Sequence, residues 1–301
     1  GKFFHREPHK YSVTNVCGWL RVTREDVINT KYLYYFLISA WDGRTYDYTV
    51  KAHPSVIRQD YTIAVPPMTN QLEIVKILDS FVDLERALDE ELRARKKQLE
   101  FYSREVLEFV GKTEDGIRGV NFATLSSLAR RNAGTSITAR QMKSLDTSDG
   151  TIKVFAAGNT TALVSTGAIP DKDVYAGPSV VVKSRGYIDS EFVDSPFSHK
   201  SELWSYTFSE EVSAKFVNYW LQTKMAFLQK LARSKSVKLP QLAVADTDTL
   251  LVPQPPFGVQ AEIVASLDAF GALISQLETE IELRKLQSTY YRDKLLSFGE
   301  S

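Results

Sequence analysis

The chain has 301 residues, 43% of them apolar, and its 37 basic and 37 acidic side chains cancel to zero net charge. That length and composition leave room for two globular modules and exclude a disordered or low-complexity chain. The single cysteine, Cys17, excludes an internal disulfide and fits a reducing cytoplasm; no run of 18 uncharged apolar residues and no signal-peptide pattern occurs, so a cytoplasmic protein with no membrane partner is expected.

Residues 1–65 carry 9 basic and 6 acidic side chains. Within them "KYLYYFL" (Lys31–Leu37) has the spacing of a buried stripe rather than of a base-stacking platform. "HREPH" (His5–His9) offers two imidazoles, but a solvated loop is the simpler reading and no metal is expected. Residues 66–110 follow a proline-rich entry, "VPPMTNQ" (Val65–Gln71), and carry 7 basic and 10 acidic side chains. Proline ends the preceding strand and is tolerated in the first helical turn. Beyond it Leu78, Phe81, Leu88, Leu92, Arg95, Leu99, Tyr102, Val106 and Phe109 keep heptad register, which predicts a long helix with a narrow apolar seam.

Residues 111–250 carry 17 basic and 14 acidic side chains and alternate short β-rich runs with turns. "TIKVFAAGNTTALV" (Thr151–Val164), "GPSVVVKSRGYI" (Gly177–Ile188) and "ELWSYTF" (Glu202–Phe208) read as strands. "SEEVSAKFVNYWLQTKMAFLQKLA" (Ser209–Ala232) reads as one helix capped by Ser209. Residues 251–301, with 4 basic and 7 acidic side chains, open on "VPQPPFGVQ" (Val252–Gln260) and then repeat the heptad seam through Leu267, Phe270, Ile274, Leu277, Ile281, Arg284, Ser288, Tyr291, Leu295 and Phe298.

The two seams are copies. At a fixed offset of 189, 16 of 39 positions are identical between residues 71–109 and 260–298, including Gln71/Gln260, Leu84/Leu273, Glu91/Glu280 and Tyr102/Tyr291. Such a match marks an internal duplication. Each helix spans roughly 40 residues, about 60 Å, and a lone seam would stay wet, so the two are expected to pair. Packing of each helix on its own globular domain is the alternative. The pairing residues are Leu78, Phe81, Leu88, Leu92, Leu99 and Tyr102 on one helix and Leu267, Phe270, Ile274, Leu277, Ile281 and Tyr291 on the other. Arg95 and Arg284 share one seam position, where a polar residue fixes register or simply snorkels. A second, weaker match aligns Gly1 with Gly186 and Trp19 with Trp204 at offset 185, and Lys31–Leu37 with Lys215–Leu221 at offset 184. On that alignment the chain opens inside a first domain, as a processed chain or a fragment of a parent of about 370–380 residues.

No G-x-G-x-x-G after a strand, Walker-type lysine loop, HExxH or methyltransferase Asn-Pro-Pro-Tyr-like tetrapeptide is present, and "GTS" (Gly134–Ser136) is not a nucleophile elbow. Catalysis by this chain alone is not expected.

The order domain, long helix, domain, long helix, with near-copied helices, resembles the specificity (S) subunits of type I restriction-modification enzymes. The resemblance rests chiefly on Glu73–Phe109 and Glu262–Phe298, above all "RKLQSTYYRDKLLSF", which is close to the family pattern; "FYSREVLEF" in the first copy departs from it. "NAGTSITARQ" (Asn132–Gln141) and "SKSVKLPQL" (Ser234–Leu242) look like variable recognition-domain elements. The resemblance implies an α/β (α+β) fold with mixed sheets, in which globular target-recognition domains are separated by two long helices that pair as an antiparallel coiled coil. Its segments would be the end of a first recognition domain (1–65), a spacer helix (66–110), a second recognition domain (111–250) and a second spacer helix (251–301). It further implies a bipartite double-stranded DNA target, docking of two methyltransferase subunits and of restriction-translocase subunits, and no cofactor on this chain. S-adenosylmethionine, ATP and Mg would sit on the partners.

Loop-borne polar and basic residues are the candidate DNA contacts: Arg130, Arg131, Thr135, Ser136, Asn159, Thr160, Lys183, Arg185, Tyr187, Arg233, Lys235 and Lys238, with Lys2, Arg6 and Lys10 in the partial first domain. Ser184 shares the Lys183–Tyr187 stretch. Arginine reads guanine bidentately and asparagine reads adenine, while lysine more often holds phosphate. Ordinary solvation competes with each of these assignments. The competing functions are the specificity module of a related split or fused methyltransferase system, and a coiled-coil scaffold unrelated to DNA.

Overall fold

The structure, a computed structural model, describes residues 3–6, 10, 12, 19–41, 62–108, 120–235 and 238–298. Lys2, His9, Cys17, His53 and Phe109 lie outside the described residues. In chain order the main elements are α1 (Thr30–Trp41), α2 (Met68–Leu107), β1 (Asn121–Thr124), α3 (Leu125–Leu128), β2 (Ala129–Asn132), α4 (Ala139–Leu145), β3 (Ile152–Phe155), β4 (Thr161–Val164), β5 (Ser179–Lys183), β6 (Asp189–Val193), β7 (Phe197–His199), β8 (Trp204–Phe208), α5 (Ala214–Thr223), α6 (Met225–Lys235), α7 (Ala245–Asp248), β9 (Leu251–Gln254) and α8 (Phe257–Leu296). They divide into two compact units, Gly1–Arg95 with Leu273–Ser301, and Lys96–Ala272, so each 40-residue helix contributes to both.

The first unit is built on α1. Asn29 caps that helix, its Oδ1 accepting from Lys31 N (2.9 Å) and Tyr32 N (3.0 Å). The "KYLYYFL" stripe is core, as its spacing suggests: Tyr32, Tyr35 and Leu37 are buried, and the two tyrosines cluster with Ile74, Val75, Leu78 and Leu296. Leu78 meets the end of α8, and three residues further along α2 Phe81 stacks on Tyr291 with ring centroids 5.6 Å apart. Rising numbers on α2 meet falling numbers on α8, which makes the pairing antiparallel.

The second unit holds the sheets. β2, β8, β5 and β6 form an antiparallel four-stranded sheet in the order β2-β8-β5-β6; β4, β3 and β7 form a second, with β3 and β7 parallel; β1 pairs with β9. All five residues of β5 are buried. Val180 and Val182 pack with Phe216, Val217 and Leu221 of α5, while Val181 packs with Phe155 and Phe197 of the second sheet. A strand covered on both faces reads as a continuous apolar run, as "SVVV" does. Gly134 ties the two sheets' connecting loops together: a Cβ there would lie 2.3 Å from Lys200 O, closer than any side chain allows.

On the helix side of this unit, Tyr102 packs on Phe270 with centroids 5.5 Å apart, and Leu99, Val106, Leu107 and Leu267 join the same core. By the 189-residue offset, Tyr102–Phe270 is the counterpart of Tyr291–Phe81. Ile274 and Ile281 are buried, while Leu88, Leu92 and Leu277 are half-buried. Arg95 and Arg284 each bond a carboxylate one turn back on their own helix, Glu91 at 2.8 Å and Glu280 at 3.3 Å. By length and composition alone α8 is apolar enough to cross a membrane; within the second unit its Gln260 and Asp268 bond Ser213 and Lys215.

One expectation is corrected. The segment Ser209–Ala232 is two helices, α5 and α6, broken at Lys224, and the cap is Ser213 rather than Ser209. Ser213 Oγ accepts from Phe216 N, while Gln260 Oε1 accepts from Ser213 N at 3.0 Å, so the helix start is fixed from α8.

Candidate nucleic-acid interface

β5 ends at Lys183, and residues 184–188 form the turn that follows it. Ser184 is fully buried, its Oγ donating to Glu202 O and its carbonyl accepting from Leu242 N at 2.9 Å. Arg185 then forms a bridge with Gln241, and Gly186, at φ +81°, donates its N–H to Pro240 O at 2.8 Å. A positive φ is a conformation that glycine adopts without penalty. Tyr187 follows, 68% exposed. The Gln229 amide of α6 brackets it: Oε1 accepts from Ile188 N at 2.9 Å and Nε2 donates to Gly186 O at 3.3 Å. The segments 184–188 and 238–242 thus form a stiff double loop with Arg185, Tyr187 and Lys238 exposed.

Lys183 and Thr135 are not on the surface. Lys183 is buried, 2.9 Å from Glu191 Oε2 and 4.0 Å from Asp189 Oδ2, because β5 is enclosed on both faces. Burial pushes the Glu191 carboxyl up, but its ion pairs with Lys153 and Lys183 outweigh this and leave it below the ordinary value. Asp189, pushed up mainly by burial, stays above it. Thr135 is buried against β7, donating its N–H to His199 O at 2.8 Å. His199 is itself buried, with Nε2 3.1 Å from Ser205 Oγ and Nδ1 3.2 Å from Lys200 O. Burial lowers its pKa, so the ring is neutral at pH 7.

The other candidates stand apart from the double loop. Arg130 and Arg131 lie exposed on the edge strand β2, with Arg131 Nη1 3.6 Å from Asp248 Oδ2. Ser136 is exposed beside a cavity of about 470 Å³ between α4 and residues 168–173. Asn159 and Thr160 form the tip of the β3–β4 hairpin. On α6, Arg233 is exposed while Lys235 is held by Asp246. Arg6 and Lys10 are exposed in the first unit. Among the described residues no three His, Cys, Asp or Glu side chains are grouped to hold a metal.

A further set of residues escaped the sequence reading. In the first unit Asp79 of α2 accepts from Lys31 Nζ (2.7 Å) and Tyr35 Oη (2.6 Å) of α1. In the second, Asp268 of α8 accepts from Lys215 Nζ (2.7 Å) and Tyr219 Oη (2.6 Å) of α5. Burial first, and the neighbouring carboxylate second, push both tyrosine hydroxyls well above their ordinary pKa. Above each clamp sits a buried glutamine: Gln71 accepts from Asn29 N (2.8 Å) and donates to Val27 O and Pro66 O, while Gln260 accepts from Ser213 N and donates to Pro255 O (2.9 Å). The signal was present as identity in both copies at Lys31/Lys215, Tyr35/Tyr219 and Asp79/Asp268.

Comparison with known proteins agrees with this architecture. Residues 120–283 match the family model for the type I restriction modification DNA specificity domain. The specificity subunit of the type I restriction enzyme EcoR124I/EcoR124II of Escherichia coli is 28% identical over 204 residues, which cover 64% of this chain and 48% of that protein. The chain therefore spans about half the length of that relative. The fold matches the crystal structure of a type I restriction-modification S subunit from M. genitalium, with a TM-score of 0.61 at 14% identity over 92% of this chain and 75% of that one. It also matches the HsdS subunit from Thermoanaerobacter tengcongensis, with a TM-score of 0.53 at 16% identity over 90% and 71%. With the family model covering more than half of its length, the chain belongs to the type I restriction-modification DNA specificity family.

Proposed function

We propose that this chain is the non-catalytic specificity subunit of a type I restriction-modification system. It recognises a bipartite double-stranded DNA target through two recognition modules and docks two methyltransferase subunits, with restriction-translocase subunits joining that core. The observation that carries the reading is the mount made twice: the same lysine, tyrosine and aspartate join a short helix to a 40-residue helix in each unit, at the same distances. Two equivalent mounts call for two equivalent modules, and two equivalent helix faces suit two copies of one partner. Recognition would fall to the exposed double loop and the β2 edge of 111–250, with Arg6 and Lys10 in the first module. Adenine methylation, S-adenosylmethionine, ATP and Mg belong to the partners, where the target base leaves the duplex. The test is the mass of the complex formed with the methyltransferase subunit encoded beside this chain. A stable assembly of two methyltransferases per chain is expected; absence of any assembly would count against the docking role and favour a plain scaffold.

A further inference from the structure

The double loop has one property that ordinary surface loops lack. An exposed loop residue normally loses conformational entropy when a ligand orders it. Here the carbonyl before Tyr187 and the N–H after it are both held by one side-chain amide, that of Gln229. The segment is closed on its other side by backbone bonds from Gly186 to Pro240 and from Leu242 to Ser184. The same bonds seat Ile188 and Leu242, whose side chains join the core, and leave the large ring of Tyr187 exposed on a backbone tied on both sides. Beside it Arg185 is exposed and forms no ion pair within 4.0 Å of a described carboxylate, although its charge is one of those that hold the Glu202 carboxyl below its ordinary value; Lys183, two residues earlier, is instead paired directly with Glu191. Lys238 stands on the facing segment.

An exposed aromatic ring on a tied backbone, with a guanidinium two residues before it and a lysine on the facing segment, matches the chemistry of a duplex edge: planar bases to contact, a guanine-type acceptor pair for arginine, phosphate for lysine. We infer that Arg185 and Tyr187 are specificity-determining residues that touch base edges, that Lys238 holds the adjacent phosphate, and that Gln229 is the positioning residue that fixes the tip for reading. The inference deepens the proposed function and rests on it.

The experiment uses cells that carry the chain together with its adjacent methyltransferase subunit, and reads the methylated motif by sequencing modified DNA. Wild type is compared with Gln229→Leu, Arg185→Ala, Tyr187→Ala and Lys238→Ala. Arg185→Ala, Tyr187→Ala and Gln229→Leu should each relax discrimination at the same one or two positions of a single half-site, roughly tenfold or more, the size of one lost base contact. Lys238→Ala should lower methylation evenly across sequences and leave the motif intact. Gln229→Leu acting only on stability would lower methylation at every site alike, and that result overturns the positioning role. Arg185 and Tyr187 are exposed, so their truncation tests the tip even where Gln229→Leu fails to fold; an unchanged motif in both overturns the inference while the family function stands. A wild-type chain that directs no motif at all sinks the proposed function, and the inference with it.

Discussion

The two units use the same mount under different heads. In the first, α1 is capped by Asn29 and its buried Tyr32 sends a hydroxyl to Ala64 O. In the second, α5 is capped by Ser213, and the position of Tyr32 is taken by Phe216, fully buried with no hydroxyl to satisfy. Side chains around the clamp have thus been exchanged freely, whereas the clamp itself is the same to 0.1 Å in both of its bonds. The difference teaches where geometry is critical: at the junction between a short helix and a long one, each bond fixes an angle that is amplified over the length of whatever the short helix carries. Within the heads, packing volume and satisfied polar groups suffice.

That comparison can be broken most sharply at the two glutamines. Both are buried, at 0% and 2% exposure, and Gln71 has three hydrogen-bond partners where Gln260 has two. Replacing either by leucine strands backbone groups without partners, at about 2 kcal/mol. Peptide-resolved hydrogen exchange should show loss of protection in α1 for Gln71→Leu and in α5 for Gln260→Leu, with the first the larger. Equal loss, or loss in the wrong helix, would mean that the mounts are not local devices. Asp79→Asn and Asp268→Asn remove a charge from half-exposed pairs, where solvent screening limits the effect to about 1 kcal/mol. The two variants should match each other closely in urea unfolding; a clear inequality would show that the heads, not the clamps, bear the load.

The smallest expected effect separates the units by pH. His199 has no described counterpart in the first unit, and burial keeps its pKa below the ordinary value. Below about pH 6.5 an unfolded chain binds a proton at this residue that the folded chain does not, so stability falls as pH drops from there toward the folded pKa. His199→Gln should flatten that slope in the second unit and leave the first unchanged, by the same exchange measurement. A slope that survives the substitution would assign the acid sensitivity to carboxylates instead.

The long helices were legible because duplication prints a signal twice: Leu78, Phe81, Leu267 and Phe270 recur at one offset. The start of α5 was not. Ser209 is followed by Glu210 and Glu211 and has the stronger local signature, but Gln260, 47 residues beyond Ser213, holds the Ser213 N–H and decides the start. Lys183 misled for a related reason. A lysine at the end of an apolar strand looks like the first exposed residue, and only the register of β5 against β6, which brings Asp189 and Glu191 to it, shows that it is buried. Gln229 carried no sequence signal, because its two bonds reach back more than forty residues to the backbone of a loop.

The passage from Ser184 to Arg185 also sets how this protein can change. On one side of that peptide bond a side chain is fully enclosed; on the other it is exposed, while the backbone remains tied on both flanks. Substitutions at Arg185, Tyr187 and Lys238 alter what the surface presents at little cost in folding, whereas at Lys183 they would remove a buried cation paired with Glu191, and at Ser184 the hydrogen bond to Glu202 O. A random library over the three exposed positions would therefore yield mostly folded chains with altered surfaces. Variation at this tip is separated from the stability of the domain that carries it.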